Sequence, residues 1–333
     1  MDLTPQPTID TTDHRTVSET DEPWELTPGI VDSLLPPTER VPEVLPVYGA
    51  IPRVEHQQAH RDFLWAVRPP AAMVSIKHVR RILKRGETAE TYFPPETDVI
   101  TTTTHADPKS FRIQFSQEVA LIQAFEPDYH LPWDWPLTNE MSEDHRIEYC
   151  QRVARGAVEM DRVLGGHYDS DDVDHPLPTP LVSEPVETTI IPLIRGDTPT
   201  ERAPCEFSVA EVDAPIAAKY GSHYMSRATG GNYPALRESV EEIHEETNGQ
   251  PIIVIGLLSP SDRYGLCDLP DNVVGAAGLN QWISRVSPRE SSPDEMRAAY
   301  DTFEQEVAEA LDVPPSYDRK EVAHIESTPP ELD

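Results

Sequence analysis

Lysine is scarce in this chain. Its 333 residues include five lysines among 27 basic side chains, against 59 acidic ones, and the formal net charge is -32. Acid-rich, lysine-poor surfaces are typical of proteins that stay soluble in concentrated salt, so we expect a halophilic archaeal or bacterial source. Such a charge repels nucleic acid in dilute salt, but in molar salt the Debye length falls to about 3 Å. The acidity therefore does not exclude a nucleic-acid partner.

Cysteine is also sparse, and no long apolar run is present. Cys150, Cys205 and Cys267 are isolated, and no CxxC pair occurs. This spacing predicts neither a disulfide framework nor a thiolate zinc site, and we expect no metal and no cofactor. We find no signal peptide and no apolar stretch of membrane-spanning length, so we expect a cytoplasmic protein without a membrane partner.

Composition divides the chain into three parts. Residues 1–45 are rich in Thr, Pro, Asp and Glu, which predicts a disordered tail. Residues 46–325 are predicted to form one domain, and residues 326–333 a frayed end. Within the domain, the acidic and proline-rich stretch 167–187 is predicted to be a hydrated loop.

The domain alternates between strand-like and helix-like segments. The predicted strands lie at 71–76, 98–104, 128–134, 188–196, 215–221, 251–258 and 272–279, with 45–52 as a possible eighth. Helical spacing separates them, for example over 142–164 and 293–311. This alternation predicts an α/β fold with a parallel sheet, most simply a TIM-type (β/α)8 barrel. A doubly wound open sheet is the alternative, although no GxGxxG follows the first strand.

Polar residues follow several of these strands, where a barrel carries its chemistry. The segment PDYHLPWD ends on Asp134, six positions after Asp128. We take Asp134 as the first candidate catalytic carboxylate and Asp271 as the second. The candidate substrate-binding residues are Asp128, His130, Arg195, Gly196, His223, Tyr224, Asn280, Gln281 and Trp282. Each also has a structural interpretation, such as a cap, a core histidine or an ion pair.

One basic patch stands out against the acidic background. Arg80, Arg81 and Arg85 lie close together, next to Lys77 and Lys84. Arginine clusters of this kind bind phosphates, so we predict a nucleic-acid contact here. A solvated helix face is the simpler alternative.

The order of these segments resembles the tRNA-guanine transglycosylase family and its relatives that insert deazaguanines into DNA. PDYHLPWD has the family's aspartate–apolar run–aspartate spacing, and IIPLIRG matches a strand ending in glycine. IIVIGLLSPSD is similar to a later strand, through Gly256, Pro260 and Asp262. The likeness covers about residues 70–311. Thr102 stands near the place of a family aspartate, with Asp107 as its replacement, and the family's zinc ligands are absent.

This resemblance implies a modified TIM barrel that exchanges a guanine or 7-deazaguanine base in tRNA or DNA. It assigns base recognition to Asp134, Arg195 and Gly196, and nucleophilic attack on the ribose to Asp271. Two other functions stay open. One is a non-catalytic barrel that binds a nucleic acid or a protein, and the other is an unrelated TIM-barrel enzyme acting on a small metabolite.

Overall fold

The computed structural model describes residues 47–104, 113–134, 137, 141–166, 185–225, 232–261 and 265–315. The predicted disordered ends, 1–45 and 326–333, lie outside these ranges, as do Asp107, Asp262 and most of the acidic stretch 167–187. Among the described helices, none is long and apolar enough to cross a membrane.

The fold is an α/β fold built on one parallel sheet. Its strands are β1 (Gly49–Val54), β2 (Ala71–Ser75), β3 (Asp98–Thr102), β4 (Tyr129–Leu131), β5 (Thr189–Ile190), β6 (Leu193–Ile194), β7 (Ala217–Tyr220), β8 (Ile252–Ile255) and β9 (Val273–Gly278). The order is β5-β4-β3-β2-β1-β9-β8-β7-β6, and every pairing is parallel. The sheet curls into a half-barrel with helices between its strands, which confirms the predicted α/β class and each of the predicted strand regions.

The helices cover the outside of this sheet. They are α1 (Gln58–Val67), α2 (Ile76–Leu83), α3 (Ala89–Tyr92), α4 (Phe115–Phe125), α5 (Glu143–Leu164), α6 (Pro199–Glu211), α7 (Ser222–Met225), α8 (Tyr233–Glu246), α9 (Asn280–Val286) and α10 (Pro293–Ala310). The sequence marks several of their starts. Ser142 and Ser292 accept backbone N–H groups at the starts of α5 and α10, and proline opens α6 and α10.

The strands are apolar because both of their faces are buried. Ile252–Ile255 and Val273–Gly278 are buried at every position. Sheets covered by crossover helices favour such continuous apolar runs over a strict alternation. The same burial explains why the continuous apolar run 251–258 predicts a strand clearly.

The first and last strands of the chain pair with each other, and the two strands at the edges of the sheet are neighbours in the sequence. β1 pairs with the last strand, β9, as well as with β2. β5 and β6 stand at opposite ends of the order, yet only Ile191 and Pro192 separate them in the chain. The N–H of Ile191 donates to His130 O on one side (2.9 Å), and Pro192 O accepts from Ala218 N on the other (2.9 Å).

Because all the strands run in one direction, their carboxyl ends meet at a single face, which we call the carboxyl face. Arg195 directly follows β6 and Asp134 lies three residues after the end of β4, so both lie at this face. Asp128 and Asp271 precede β4 and β9, so they lie at the opposite face. For the six-residue β9, the two faces are about 20 Å apart.

Candidate functional site

Asp134 and Arg195 form a buried ion pair at the carboxyl face. The Nε of Arg195 donates to Oδ1 of Asp134 at 2.7 Å, and Nη2 makes a second short bond to the same oxygen. The guanidinium also lies over the ring of Tyr220, 4.8 Å from its centroid. Burial lowers the pKa of Arg195, but the charge of Asp134, its hydrogen bonds and the nearby Tyr220 together outweigh burial, and the pKa is raised. Arg195 therefore stays charged and fixed in orientation.

The backbone that presents Asp134 is held by buried side chains. The N–H of Asp134 donates to Thr103 Oγ1 at 2.9 Å, and the N–H of Trp133 donates to Glu118 Oε1 at 3.1 Å. His130 Nε2 is 2.8 Å from the same Glu118 oxygen, and both side chains are fully buried. His130 therefore supports the turn between β4 and Asp134 from within the protein.

Arg53, at the end of β1, is a second guanidinium near this pair. Its Nη2 donates to Thr104 O at 3.0 Å. Burial lowers the pKa of Arg53, and the charges of Tyr220 and Asp134 act in the opposite direction. Arg53 is not among the predicted site residues because the predicted first strand ends at residue 52, whereas β1 continues to Val54. Its position inside an otherwise apolar strand is the sequence feature that would have identified Arg53 as a candidate.

A pocket opens over the ends of β6 and β7. Its lining residues are Leu137, Arg146, Ile194, Arg195, Gly196, Asp197, Lys219, Tyr220 and Tyr224. The concave space measures about 310 Å³ out to open solvent. Six of its nine lining residues carry polar or charged side chains, so this small pocket can hydrogen-bond a polar ligand.

Asp197 is the carboxylate exposed in this pocket. Its Oδ1 accepts from Tyr224 Oη at 2.6 Å, and its Oδ2 accepts from Arg146 Nη2 at 2.6 Å. Burial raises the pKa of Asp197, but the hydrogen bonds from Tyr224 and Arg146 outweigh it, so the pKa is lowered. Asp197 is therefore an ionised and oriented carboxylate with 44% of its side chain exposed. Asp197 is not among the residues that the sequence predicts for the site.

Gly196 has a structural reason to be glycine. Its φ is +103°, and a Cβ there would lie 2.6 Å from Glu201 Cβ. The close approach lets Asp197 N donate to Glu201 Oε2 at 2.7 Å. Glu201 in turn accepts from Arg146 Nε at 2.7 Å. Gly196 therefore allows the chain to turn from β6 into the network that orients Asp197.

The predicted basic patch lies beside the carboxyl end of β1. Arg81 Nη1 is 3.1 Å from His56 Nε2, and Arg85 Nη2 donates to His56 O at 3.2 Å. Arg80, Arg81 and Arg85 are all exposed. The patch is therefore on the same face as the pocket.

The structure brings some of the predicted residues together and separates others. Arg195, Gly196 and Tyr224 share the pocket wall, and Asp134 lies behind it, bound to Arg195. Asp128 lies at the opposite face, where its Oδ2 accepts from Val99 N at 2.7 Å, and Asp271 is exposed at that face. The two candidate catalytic carboxylates are thus not neighbours.

The segment after β9 was predicted to line a pocket. Trp282 lies in the core instead, with its ring stacked on Phe63 (4.2 Å between centroids) and its Nε1 donating to Arg53 O at 2.9 Å. Asn280 is exposed at the start of α9, and Gln281 folds back towards Gly278. For His223 the structure describes the backbone, within α7, and not the side chain.

No family model and no curated protein matches this chain. Within the described ranges, no group of three or more His, Cys, Asp or Glu side chains is arranged to hold a metal ion.

Proposed function

We propose that the sheet closes into an eight-stranded barrel of the TIM type. β5 and β6 would then be two halves of one strand that is interrupted at Ile191 and Pro192 and pairs with β4 on one side and β7 on the other. The pairing of β1 with β9 supports the same arrangement. In such a barrel the active or binding site occupies the carboxyl face, which is where the pocket lies.

We propose that this face binds a guanine-type base of a nucleic acid. The observation that carries the proposal is the buttressed guanidinium of Arg195. Its Nε and Nη2 are held by Asp134, and these bonds do not use Nη1. An arginine fixed in this way suits the acceptor edge of guanine, which is the most common partner of arginine in base recognition. Tyr220, under the guanidinium, adds a flat surface beside it.

The position of the basic patch favours a base that is presented on a polymer. The arginines of the predicted patch, Arg81 and Arg85, lie on the same face and could contact phosphates. The charge of -32 opposes this binding in dilute salt and is screened in concentrated salt. Binding is therefore expected to be strongest at a salt concentration where the acidic surface is screened but the local arginine contacts remain.

Binding without base exchange is the function that the geometry supports best. The exchange chemistry implied by the resemblance needs a nucleophilic carboxylate beside the base and a second carboxylate for proton transfer. Asp134 is engaged by Arg195, and Asp271 lies at the opposite face. The proposal therefore keeps the base-recognition role of Asp134 and Arg195, with Asp134 acting through Arg195, and does not keep the catalytic role of Asp271.

Equilibrium dialysis of labelled guanine, 7-deazaguanine and adenine in molar KCl would test this proposal. Guanine should bind more tightly than adenine, and Arg195→Lys should weaken guanine binding about tenfold or more because lysine cannot reproduce the planar fork. Arg80→Lys, at an exposed position, is the matched control and should bind as the parent does. Equal affinities for guanine and adenine, or an unchanged affinity in Arg195→Lys, would contradict the proposal.

Base exchange remains a second candidate because Asp197 is ionised and exposed in the same pocket. In that reaction Asp197 would attack the ribose carbon and the base would leave, after which an incoming base would displace the carboxylate. The test is incorporation of labelled guanine or 7-deazaguanine into tRNA and, separately, into DNA in molar KCl. Incorporation that disappears in Asp197→Asn would establish exchange. A folded protein that binds guanine and incorporates none would restrict the function to binding.

A further inference from the structure

Lys219 is the lysine of the pocket wall, and the proposed base binding does not use it. It lies in β7 with 2% of its surface exposed, and its Nζ donates to Gly196 O at 2.9 Å. Burial lowers the pKa of Lys219 to about 8. Arg202 and Arg195 act in the same direction, whereas Asp197 and Cys150 oppose it. An appreciable fraction of the amine is therefore unprotonated near neutral pH, which is the reactive form.

The surroundings of Lys219 suit an anionic partner. Arg146 and Arg195 line the same pocket. Arg146 donates to Asp197, which also lines the pocket, and to Glu201, which does not, while Arg195 donates to Asp134; these bonds use Nε and Nη2 of each guanidinium and not Nη1. Asp197 and Tyr224 add a carboxylate and a hydroxyl to the wall, joined by their 2.6 Å hydrogen bond. Amine, cations, carboxylate and hydroxyl thus face one small space.

We propose that Lys219 forms an imine with a small aldehyde or ketone that carries a carboxylate or phosphate. The Nζ lone pair adds to the carbonyl carbon, and the carbonyl oxygen takes up a proton to give a carbinolamine. Loss of the nitrogen proton and of the hydroxyl, which leaves as water, then forms the C=N bond. The sum is one amine and one carbonyl giving one imine and one water, with no oxidant or reductant. Asp197 and Tyr224 would carry the protons, and Arg146 would hold the anionic group.

This inference does not depend on the proposed base binding. Imine formation needs the amine and the pocket cations, whereas base recognition needs the orientation of Arg195 by Asp134. Reduction of an imine to a stable secondary amine reports on imine formation alone and not on base recognition. A protein that fails to bind guanine can therefore still be labelled at Lys219, and the reverse result is equally possible.

The experiment is borohydride trapping followed by peptide mass mapping of the full chain in molar KCl. Pyruvate supplies a carboxylate, dihydroxyacetone phosphate supplies a phosphate, and acetone supplies a carbonyl without an anion. We expect at least one of the two anionic probes to label the Lys219 peptide at least tenfold faster than the peptide of exposed Lys84. Acetone should not show this preference. The more reactive anionic probe identifies which group the pocket accepts.

Variants at Lys219 and Arg146 test whether labelling depends on the amine and on the neighbouring guanidinium. Lys219→Arg keeps the charge and cannot form the imine, so labelling at this site should vanish; Lys219→Met serves if the arginine variant does not fold. Arg146→Ala keeps the amine and should slow labelling by the anionic probes but not by acetone. Labelling distributed over the lysines according to exposure, or none at Lys219 in folded protein, would overturn the proposal.

Discussion

The ring of Trp133 packs directly on the backbone of Gly156. A Cβ at position 156 would lie 2.7 Å from Cε3 of Trp133 and 3.1 Å from its Cβ. Trp133 is at φ +34°, in the left-handed region that side chains rarely adopt. Gly156 in α5 and the Glu118 carboxylate together hold this unusual turn, so the position of Asp134 depends on a helix glycine 22 positions later in the chain.

We expect Gly156→Ala to destabilise the protein by about 1–3 kcal/mol, as overpacked cores typically are. The sign of this stability change is informative because Ala in a helix interior normally stabilises by about 1 kcal/mol relative to Gly. Urea unfolding in molar KCl measures the change. Arg152→Ala, in the same helix, removes an exposed side chain that pairs with Glu148 and lies over the ring of Tyr149, and it should cost less than about 1 kcal/mol. A more stable Gly156→Ala variant would show that Trp133 relaxes without cost.

Substitutions of Arg195 and Asp134 should have strongly non-additive effects on the free energy of unfolding. Asp134→Ala leaves the buried guanidinium without its partner, and we expect a loss of about 3–5 kcal/mol. Removing both charges with Asp134→Leu and Arg195→Met should cost much less than the sum of the single changes. A double-mutant cycle by chemical denaturation measures this coupling, and additive losses would show that the pair is energetically independent.

Glu206 should make stability depend on pH. Burial and its hydrogen bond with Glu246 raise the pKa of Glu206 to about 9, from an ordinary value of 4.5. The folded state then binds more protons than the unfolded state between these values, so the contribution to stability is complete below pH 4.5 and is lost as pH rises towards 9. The slope from this group is at most about 1.4 kcal/mol per pH unit.

Glu206→Gln should flatten this slope. The amide stays neutral in both states, so the difference in unfolding free energy between parent and variant should change steadily between pH 5 and pH 9. Glu211→Gln, at the exposed end of the same helix, is the control and should leave the slope as in the parent. A parent slope that persists in Glu206→Gln would place the titration elsewhere.

Sequence patterns identified the strands because burial on both faces makes each strand a continuous apolar run, as in 252–255. They placed Asp134 at the carboxyl face because it follows a strand. They did not reveal that Asp134 binds Arg195, 61 positions away, because that contact is set by the pairing order of the sheet. The likeness to transglycosylases paired Asp134 with Asp271, but the latter precedes its strand and lies at the other face.

The assignments after β9 failed for a related reason. Polar residues next to a strand end predict a pocket, yet α9 begins at once at Asn280 and turns Trp282 into the core against Phe63. The direction of the Trp282 side chain is set by this helix, which the sequence patterns did not predict. Residues whose roles depend on such short-range geometry, including Asp197 and Lys219, could be found only from the structure.

The histidines of the basic patch form a hydrogen-bonded chain whose proton positions are fixed by Arg81. Arginine only donates, so His56 Nε2 accepts from Arg81 and the His56 proton resides on Nδ1. That proton is donated to His78 Nδ1 at 2.7 Å, which leaves the His78 proton on Nε2, 3.7 Å from Glu55. If His78 were protonated, its Nδ1 would also carry a proton, and the two Nδ1–H groups would point at each other across 2.7 Å. Burial, together with the nearby positive groups, accordingly lowers the pKa of His78 to about 4.

We expect Arg81→Ala to raise the pKa of His56, because it removes both a donor to the ring and a positive charge. The histidine ¹⁵N chemical shifts in a pH titration give both the tautomer and the pKa. The stability contributed by neutral His78 is complete above pH 6.5 and is lost as pH falls towards 4, and His78→Gln should remove this loss. Arg80→Ala removes the same charge from the neighbouring exposed position and should preserve the His56 tautomer. If both arginine variants raise the pKa of His56 equally, the change comes from the loss of positive charge alone. The hydrogen-bonded chain then does not fix the proton positions.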